Sequence, residues 1–165
     1  MTWRGTATPT DRIFGLLPYL LPLTDAVFTG GAFFEYITQF PPLVPIATVL
    51  YTLALPAAFI EGQFGGFGSL IVFMVLIFAV VRNPRVSHFI RFNTLQAILI
   101  GFIIFVCRLL IGVFATPSLS LLVETLSNVV FLGGISVVLY SMIQSALGRY
   151  AEIPTISEAV YMQVR

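Results

Sequence analysis

The sequence has no lysine, one cysteine (Cys107) and one histidine (His88) among its 165 residues. Each scarcity removes a class of function. A lone cysteine excludes an intrachain disulfide, and a single histidine beside scattered carboxylates is a poor basis for a multi-ligand metal site. Eight arginines are the only cations and the net charge is +1, so no basic patch can neutralise several phosphates of a nucleic acid. Charge of either sign is scarce: charged residues make up 9% of the chain, against about 25% in a soluble domain. Motifs of catalysis are missing too, with no HExxH, no G-x-S-x-G, no P-loop and no Gly-rich dinucleotide fingerprint. The reading is therefore of a protein that is not an enzyme, with no cofactor of its own; bound lipid or pigment would come through partners.

What is present is apolar. Hydrophobic residues supply 58% of the chain, more than a soluble fold of this size can hide, since a 150-residue domain buries only about 70% of its unfolded surface. The class this implies is an all-α integral membrane protein. A helix needs about 20 apolar residues to cross ~30 Å of hydrocarbon, so spans are sought in charge-free intervals. The 25 residues between Glu35 and Glu61 open on Pro41, Pro42 and Pro45, which suit an approach and first turn, and predict a span at about 43–60. The 20 residues between Glu61 and Arg82 predict a second at about 67–81. A third is expected at about 92–114, closing before Thr116-Pro117, and a fourth at about 121–147, closing at Gly148.

The stretch Ile13 to Thr24 is too short to span and carries Pro18 and Pro22. Residues 13–34 are expected to form an N-terminal interfacial segment, because a span through them would put Asp25 near mid-membrane at about 2.5–3.5 kcal/mol. Four spans also place Arg4, Arg12, Arg82, Arg85, Arg91, Arg149 and Arg165 on one side, leaving Glu61 and Glu124 on the other. The positive-inside rule then puts both termini, including a tail over 148–165, in the cytoplasm or stroma. No internal repeat divides residues 1–165, which read as a single polytopic membrane domain. Met1 to Thr10 lacks the pattern of a cleavable signal or transit peptide.

Polar residues inside the spans carry what functional signal there is. Arg108 is the ionisable residue within an otherwise apolar run, and such residues default to a functional hypothesis. Helical spacing sets it on one stripe with Asn93, Ala97, Gly101 and Ile104, with Gln96 beside them, while Glu124, Ser127, Gly134, Ser141 and Ser145 share a face of the next span. A polar interhelical seam of Asn93, Gln96, Arg108, Glu124, Ser127 and Ser141 follows. The leading structural reading pairs Arg108 with Glu124 across a short loop; snorkelling of Arg108 to the interface, or a translocation or ligand site, are the alternatives. Gly62-x-x-x-Gly66 and Ser141-x-x-x-Ser145 read as close helix packing, His88 as a solvated loop residue and Cys107 as a small buried hydrophobe. Four spans without an inverted repeat fit poorly with the usual secondary transporters.

Three stretches carry a resemblance. Leu17-Pro18-Tyr19-Leu20-Leu21-Pro22-Leu23-Thr24-Asp25, Arg91-Phe92-Asn93-Thr94-Leu95-Gln96-Ala97, and Ile153-Pro154-Thr155-Ile156-Ser157-Glu158-Ala159 with Gln163-Val164 resemble the twenty-kilodalton subunit family of the chloroplast inner-envelope (TIC) protein translocon. The second stretch is the most specific. The tail departs from the family pattern, having Ser157-Glu158-Ala159-Val160 where the family more often shows an Asp and a second Ala. The missing transit peptide favours a cyanobacterial or plastid-encoded member. The resemblance implies a protein-conducting or channel-associated translocon subunit in a cyanobacterial plasma or thylakoid membrane, or in a plastid inner envelope. Its motif positions are Pro18, Tyr19, Pro22, Asp25, Arg91, Phe92, Asn93, Gln96, Pro154, Ser157 and Gln163. The alternative is a non-catalytic accessory or assembly subunit of a photosynthetic-membrane complex. Its partners would be membrane lipids and other translocon or photosynthetic-complex subunits; four helices make a bundle normally filled by side chains, so conduction would need homo-oligomers or partner subunits.

Overall fold

The computed structural model describes residues 7–164, and within them every regular element is helical. Arg4 and Arg165, counted above among the same-side cations, lie outside the described residues. Helix α1 (Pro9–Leu16) opens on a capping box: Asp11 N–H donates to the Thr8 hydroxyl, and the Asp11 carboxylate accepts from Thr8 N–H. Pro18 lacks the N–H that would continue the α ladder, and the chain answers with one 3-10 turn, Leu17–Tyr19, before resuming as α2 (Leu20–Thr29). The prolines thus adjust one continuous rod. At Gly30 it breaks and bends by 69° into α3 (Gly31–Ile37), the geometry of a broken span or a re-entrant loop. A Cβ on Gly30 would lie 2.5 Å from the Phe131 ring, so only glycine lets that ring fill the corner.

A 3-10 turn at Pro41–Leu43 leads into α4 (Val44–Gly62). Helix α5 (Gly68–Val75) continues as a π-helical stretch, Leu76–Val81. Then come α6 (His88–Val113) and α7 (Ser120–Ala146), which stops in a Schellman arrangement: Arg149 N–H reaches the Gln144 carbonyl, Gly148 N–H the Ser145 carbonyl, and Gly148 has φ +74°. Among the described residues three helices, Pro41–Gly62, His88–Val113 and Pro117–Ala146, are long and apolar enough to cross a membrane, and the bent pair makes up to four. Helices form at all four expected intervals, but that at 67–81 belongs to a shorter apolar helix, Gly65–Val81. Side chains such as Phe59, Phe67 and Leu121 point outward with 69–77% of their surface exposed, as lipid-facing residues do.

The segment expected at an interface is instead at the centre of the molecule. Tyr19, Leu23, Ala26 and Val27 have no exposed surface, and α2 packs against α4, α6 and α7 together. Close approach makes this possible: a Cβ on Gly134 would sit 3.2 Å from the Ala26 Cβ, so α2 and α7 touch almost backbone to backbone. The opposite holds for Gly62, which ends α4, and Gly66, which lies in the 3-10 turn Gly65–Phe67; both have nothing nearby, and that GxxxG is not a packing motif. The last element, α8 (Ile156–Gln163), folds back so that Val160 and Val164 are buried with Val81, Phe92 and Leu95.

Candidate functional site

Three segments remote in sequence meet at a buried polar knot. Tyr19 Oη lies 3.0 Å from Asn93 Oδ1 and 2.9 Å from Gln96 Oε1, sharing its one proton between them. Gln96 Nε2 donates to the Ala151 carbonyl at 2.9 Å and to Ser157 Oγ at 3.2 Å. Ser157 Oγ in turn donates to Ala151 O at 3.0 Å and accepts from Ile153 N at 2.8 Å. Asn93 Nδ2 donates to the Phe89 carbonyl one turn back. Tyr19, Asn93 and Gln96 are fully buried and Ser157 is 5% exposed, so each polar atom needs these partners: an unmet buried group costs about 1–3 kcal/mol. The knot fastens the amino-terminal rod and the carboxyl-terminal tail to the same two turns of α6.

Aromatic packing seals one side. Phe92 stacks edge-on with Tyr150 at 4.8 Å between ring centres and against Tyr161 at 4.7 Å. His88 is not a solvated loop residue: it opens α6, half-buried, with Nδ1 3.0 Å from Tyr150 Oη and Nε2 3.1 Å from the Val164 carbonyl. Arg91 Nε donates to the Val81 carbonyl at 2.8 Å, tying the end of the π-helical stretch to α6. Ser87 Oγ donates to Asp11 Oδ1 at 2.7 Å, closing the same end of the bundle.

The second polar feature corrects the expected ion pair. Arg108 Nη1 lies 3.5 Å from Asp25 Oδ1, with side-chain exposures of 44% and 28%. Glu124 is exposed on α7 and stands apart. Adjacency along the α6 to α7 hairpin suggested Glu124, whereas the burial of α2 brings Asp25 alongside Gly101, where an added Cβ would meet Asp25 Oδ2 at 3.7 Å. The expected cost of Asp25 within a span is met by setting an opposite charge against it.

Of the expected seam, then, Asn93 and Gln96 are joined through Tyr19. Ser141 is fully buried on α7 and donates to the Val137 carbonyl, Arg108 belongs to a separate pair, and Ser127 is half-buried without a place in the knot. Among the motif positions, Pro18 and Pro22 are buried in the rod, Pro154 precedes a turn in which Thr155 takes φ +68°, and Gln163 is exposed. Cys107 is half-buried and borders a small cavity of about 210 Å³ between α6 and α7. Tyr19 and Ser157 are visible in the sequence only as motif residues; nothing in helical spacing ties either to α6.

Residues 8–160 match the family described as "Chloroplast import apparatus Tic20-like". The chain belongs to the Tic20 family. It is 44% identical to a Tic20 family protein of Synechocystis over 100% of this chain and 99% of the relative. It is 33% identical to the Tic20 family protein Ycf60 of Gracilaria tenuistipitata over 95% of this chain and 76% of that one. Against Protein TIC 20-v, chloroplastic, of Arabidopsis thaliana it is 32% identical, over 94% and 71% of the two chains. The knot is thus built from all three stretches that carry the family resemblance, with Tyr19 from the first, Asn93 and Gln96 from the second and Ser157 from the third.

Proposed function

We propose that this chain is a membrane subunit of a protein-import translocon, acting beside a conducting path rather than enclosing one alone. Family membership supports the translocon role. The restriction to one side of the path rests on how the bundle interior is filled: α2 occupies its centre, with Tyr19, Leu23 and Val138 fully buried. A polypeptide path would therefore form between copies or between this chain and other subunits, along the bundle surface. The role is non-catalytic and needs no cofactor of its own, since the polar atoms of the knot satisfy one another as a structural tie.

Orientation belongs to the same proposal. The start of α1, the 82–87 turn and the tail gather at one end of the bundle through the Ser87 to Asp11 bond and the His88 to Val164 contact. Together with the arginine bias, this favours both termini on the cytoplasmic or stromal face. Introduced cysteines next to Arg12 and Arg149 should label from the same face of sealed vesicles; labelling from opposite faces would refute it.

The decisive experiment is crosslinking of tagged chain to a precursor arrested during translocation. Adducts to the precursor and to other import subunits are expected. Recovery with a pigment complex and no precursor adduct would replace this reading with that of an accessory subunit.

A further inference from the structure

A cavity of about 570 Å³ opens between α1, α4, α5 and α6. Phe14, Ala57, Val72, Leu76, Val80 and Val86 are among its walls, and Thr94 is the lining residue with a polar side chain. From Val72 to Val80 it runs along α5 and the π-helical stretch that continues it, for roughly two helical turns. Two observations say what it holds. The first is charge: Arg82 and Arg85, both exposed, lie in the turn between Val80 and Val86, which mark one end of the cleft, the Arg82 guanidinium resting over the Phe78 ring. The second is the Thr94 hydroxyl, fully buried and without a hydrogen-bond partner. Thr24, Thr48, Thr52, Thr125, Ser136 and Ser141 all donate to the carbonyl four residues back. Thr94 does not, although that bond is the usual refuge of a hydroxyl in a helix.

We propose that this cleft binds an anionic phospholipid, an acyl chain lying between α1, α4, α5 and α6 and the phosphate held by Arg82 and Arg85. Arginine forks match phosphate oxygens, and anionic lipid is drawn to cations at a membrane surface. Thr94 lies seven residues inside the Ser87 cap, about 10 Å along α6, on the wall of the cleft, where a lipid ester carbonyl drawn to that depth would accept its orphan proton. A partner helix fits less well. Helix docking inside membranes favours small residues, while the walls here are mainly Phe, Leu, Ile and Val, suited to a flexible hydrocarbon chain.

The test uses full-length protein in mild detergent, offered equal amounts of phosphatidylglycerol and phosphatidylcholine with identical chains, and read by native mass spectrometry. Wild type should retain phosphatidylglycerol about tenfold more than phosphatidylcholine. Arg82→Gln/Arg85→Gln, both at exposed positions, should cut that preference to within about twofold. Val72→Trp should deplete both lipids by filling the cleft. A phosphatidylglycerol carrying a diazirine on its acyl chain should label peptides containing Val72 to Val80 and Thr94, which keeps the proposal testable if the tryptophan variant does not fold. Equal retention of the two lipids, an unchanged preference in the double arginine variant, or photolabelling elsewhere would overturn it, as would a protein segment crosslinked into the cleft in place of lipid.

Discussion

Where the amino-terminal rod and the tail meet α6, Tyr19, Asn93 and Gln96 have no exposed surface and share their hydrogen bonds among three segments. About 22 Å further along the same helix, the Arg108 and Asp25 side chains keep 44% and 28% of theirs. Both regions are polar groups set into apolar helices, yet their energetics differ. The knot is neutral and dry, so each missing bond is felt in full. The ion pair is charged and only partly enclosed by the bundle, with Arg108 in a helix long and apolar enough to span a membrane, so each charge relies on the other or on reaching the interface. The first is suited to fixing which segments lie together, the second to a place where the surroundings change.

The sharpest way to break this contrast is to remove the amide that joins all three segments. Gln96→Leu should lower stability by about 2–3 kcal/mol, measured by unfolding in detergent, because the bonds from one amide to Tyr19, the Ala151 carbonyl and Ser157 are lost together. Tyr19→Phe should cost a comparable amount, about 2 kcal/mol, since it leaves the buried Asn93 Oδ1 and Gln96 Oε1 without their donor while Gln96 Nε2 keeps Ala151 and Ser157. Equal and small losses from the two would mean the tail is not fastened through Gln96.

The ion pair should respond less. A well-buried pair broken on one side costs about 3–5 kcal/mol, and because the freed Arg108 side chain can snorkel toward the interface, Asp25→Asn should cost about 1–2 kcal/mol. The double change Asp25→Leu/Arg108→Met should restore most of the loss. A coupling near zero in that double-mutant cycle would show the two charges to be independent and would leave Arg108 snorkelling.

A smaller effect of opposite sign is expected in the tail. Thr155 has φ +68° and ψ −48°, a region in which a β-branched side chain is strained. Thr155→Gly should therefore raise stability by about 0.5–1 kcal/mol, the relief exceeding the entropy that glycine adds to the unfolded chain. A loss instead would mean that the Thr155 side chain holds the turn that presents Ser157 to Gln96.

These differences also explain what is legible in the sequence. Charge-free intervals locate α4, α6 and α7 because the cost of a bare charge in lipid is large and local. The same logic misplaces the amino-terminal segment: Pro18, Pro22 and Asp25 each argue against a buried rod when taken singly. A 3-10 turn absorbs Pro18, and Arg108 compensates Asp25. The first remedy shows only in the backbone, and the second is tertiary. Asn93 and Gln96 are legible as amides on an inward face, but Tyr19 lies 74 residues from Asn93 and Ala151 lies 55 from Gln96, distances that periodicity does not reach. His88 escapes for the same reason, since its partners Tyr150 and Val164 arrive only when the tail folds back.

The smallest predicted effect tests the correction at Arg108. Glu124 is exposed and lies beyond the first turn of α7, while Arg108 is already engaged by Asp25. Glu124→Ala should therefore change stability by less than about 0.5 kcal/mol, as for other exposed positions without a special role. The informative comparison is with the same change made in an Asp25→Asn background. If Arg108 is held by Asp25 alone, the two effects of Glu124→Ala should agree within experimental error. A loss of about 1 kcal/mol or more confined to the Asp25→Asn background would mean that the freed guanidinium swings to Glu124, making the charged end a two-position pair while the neutral knot stays fixed.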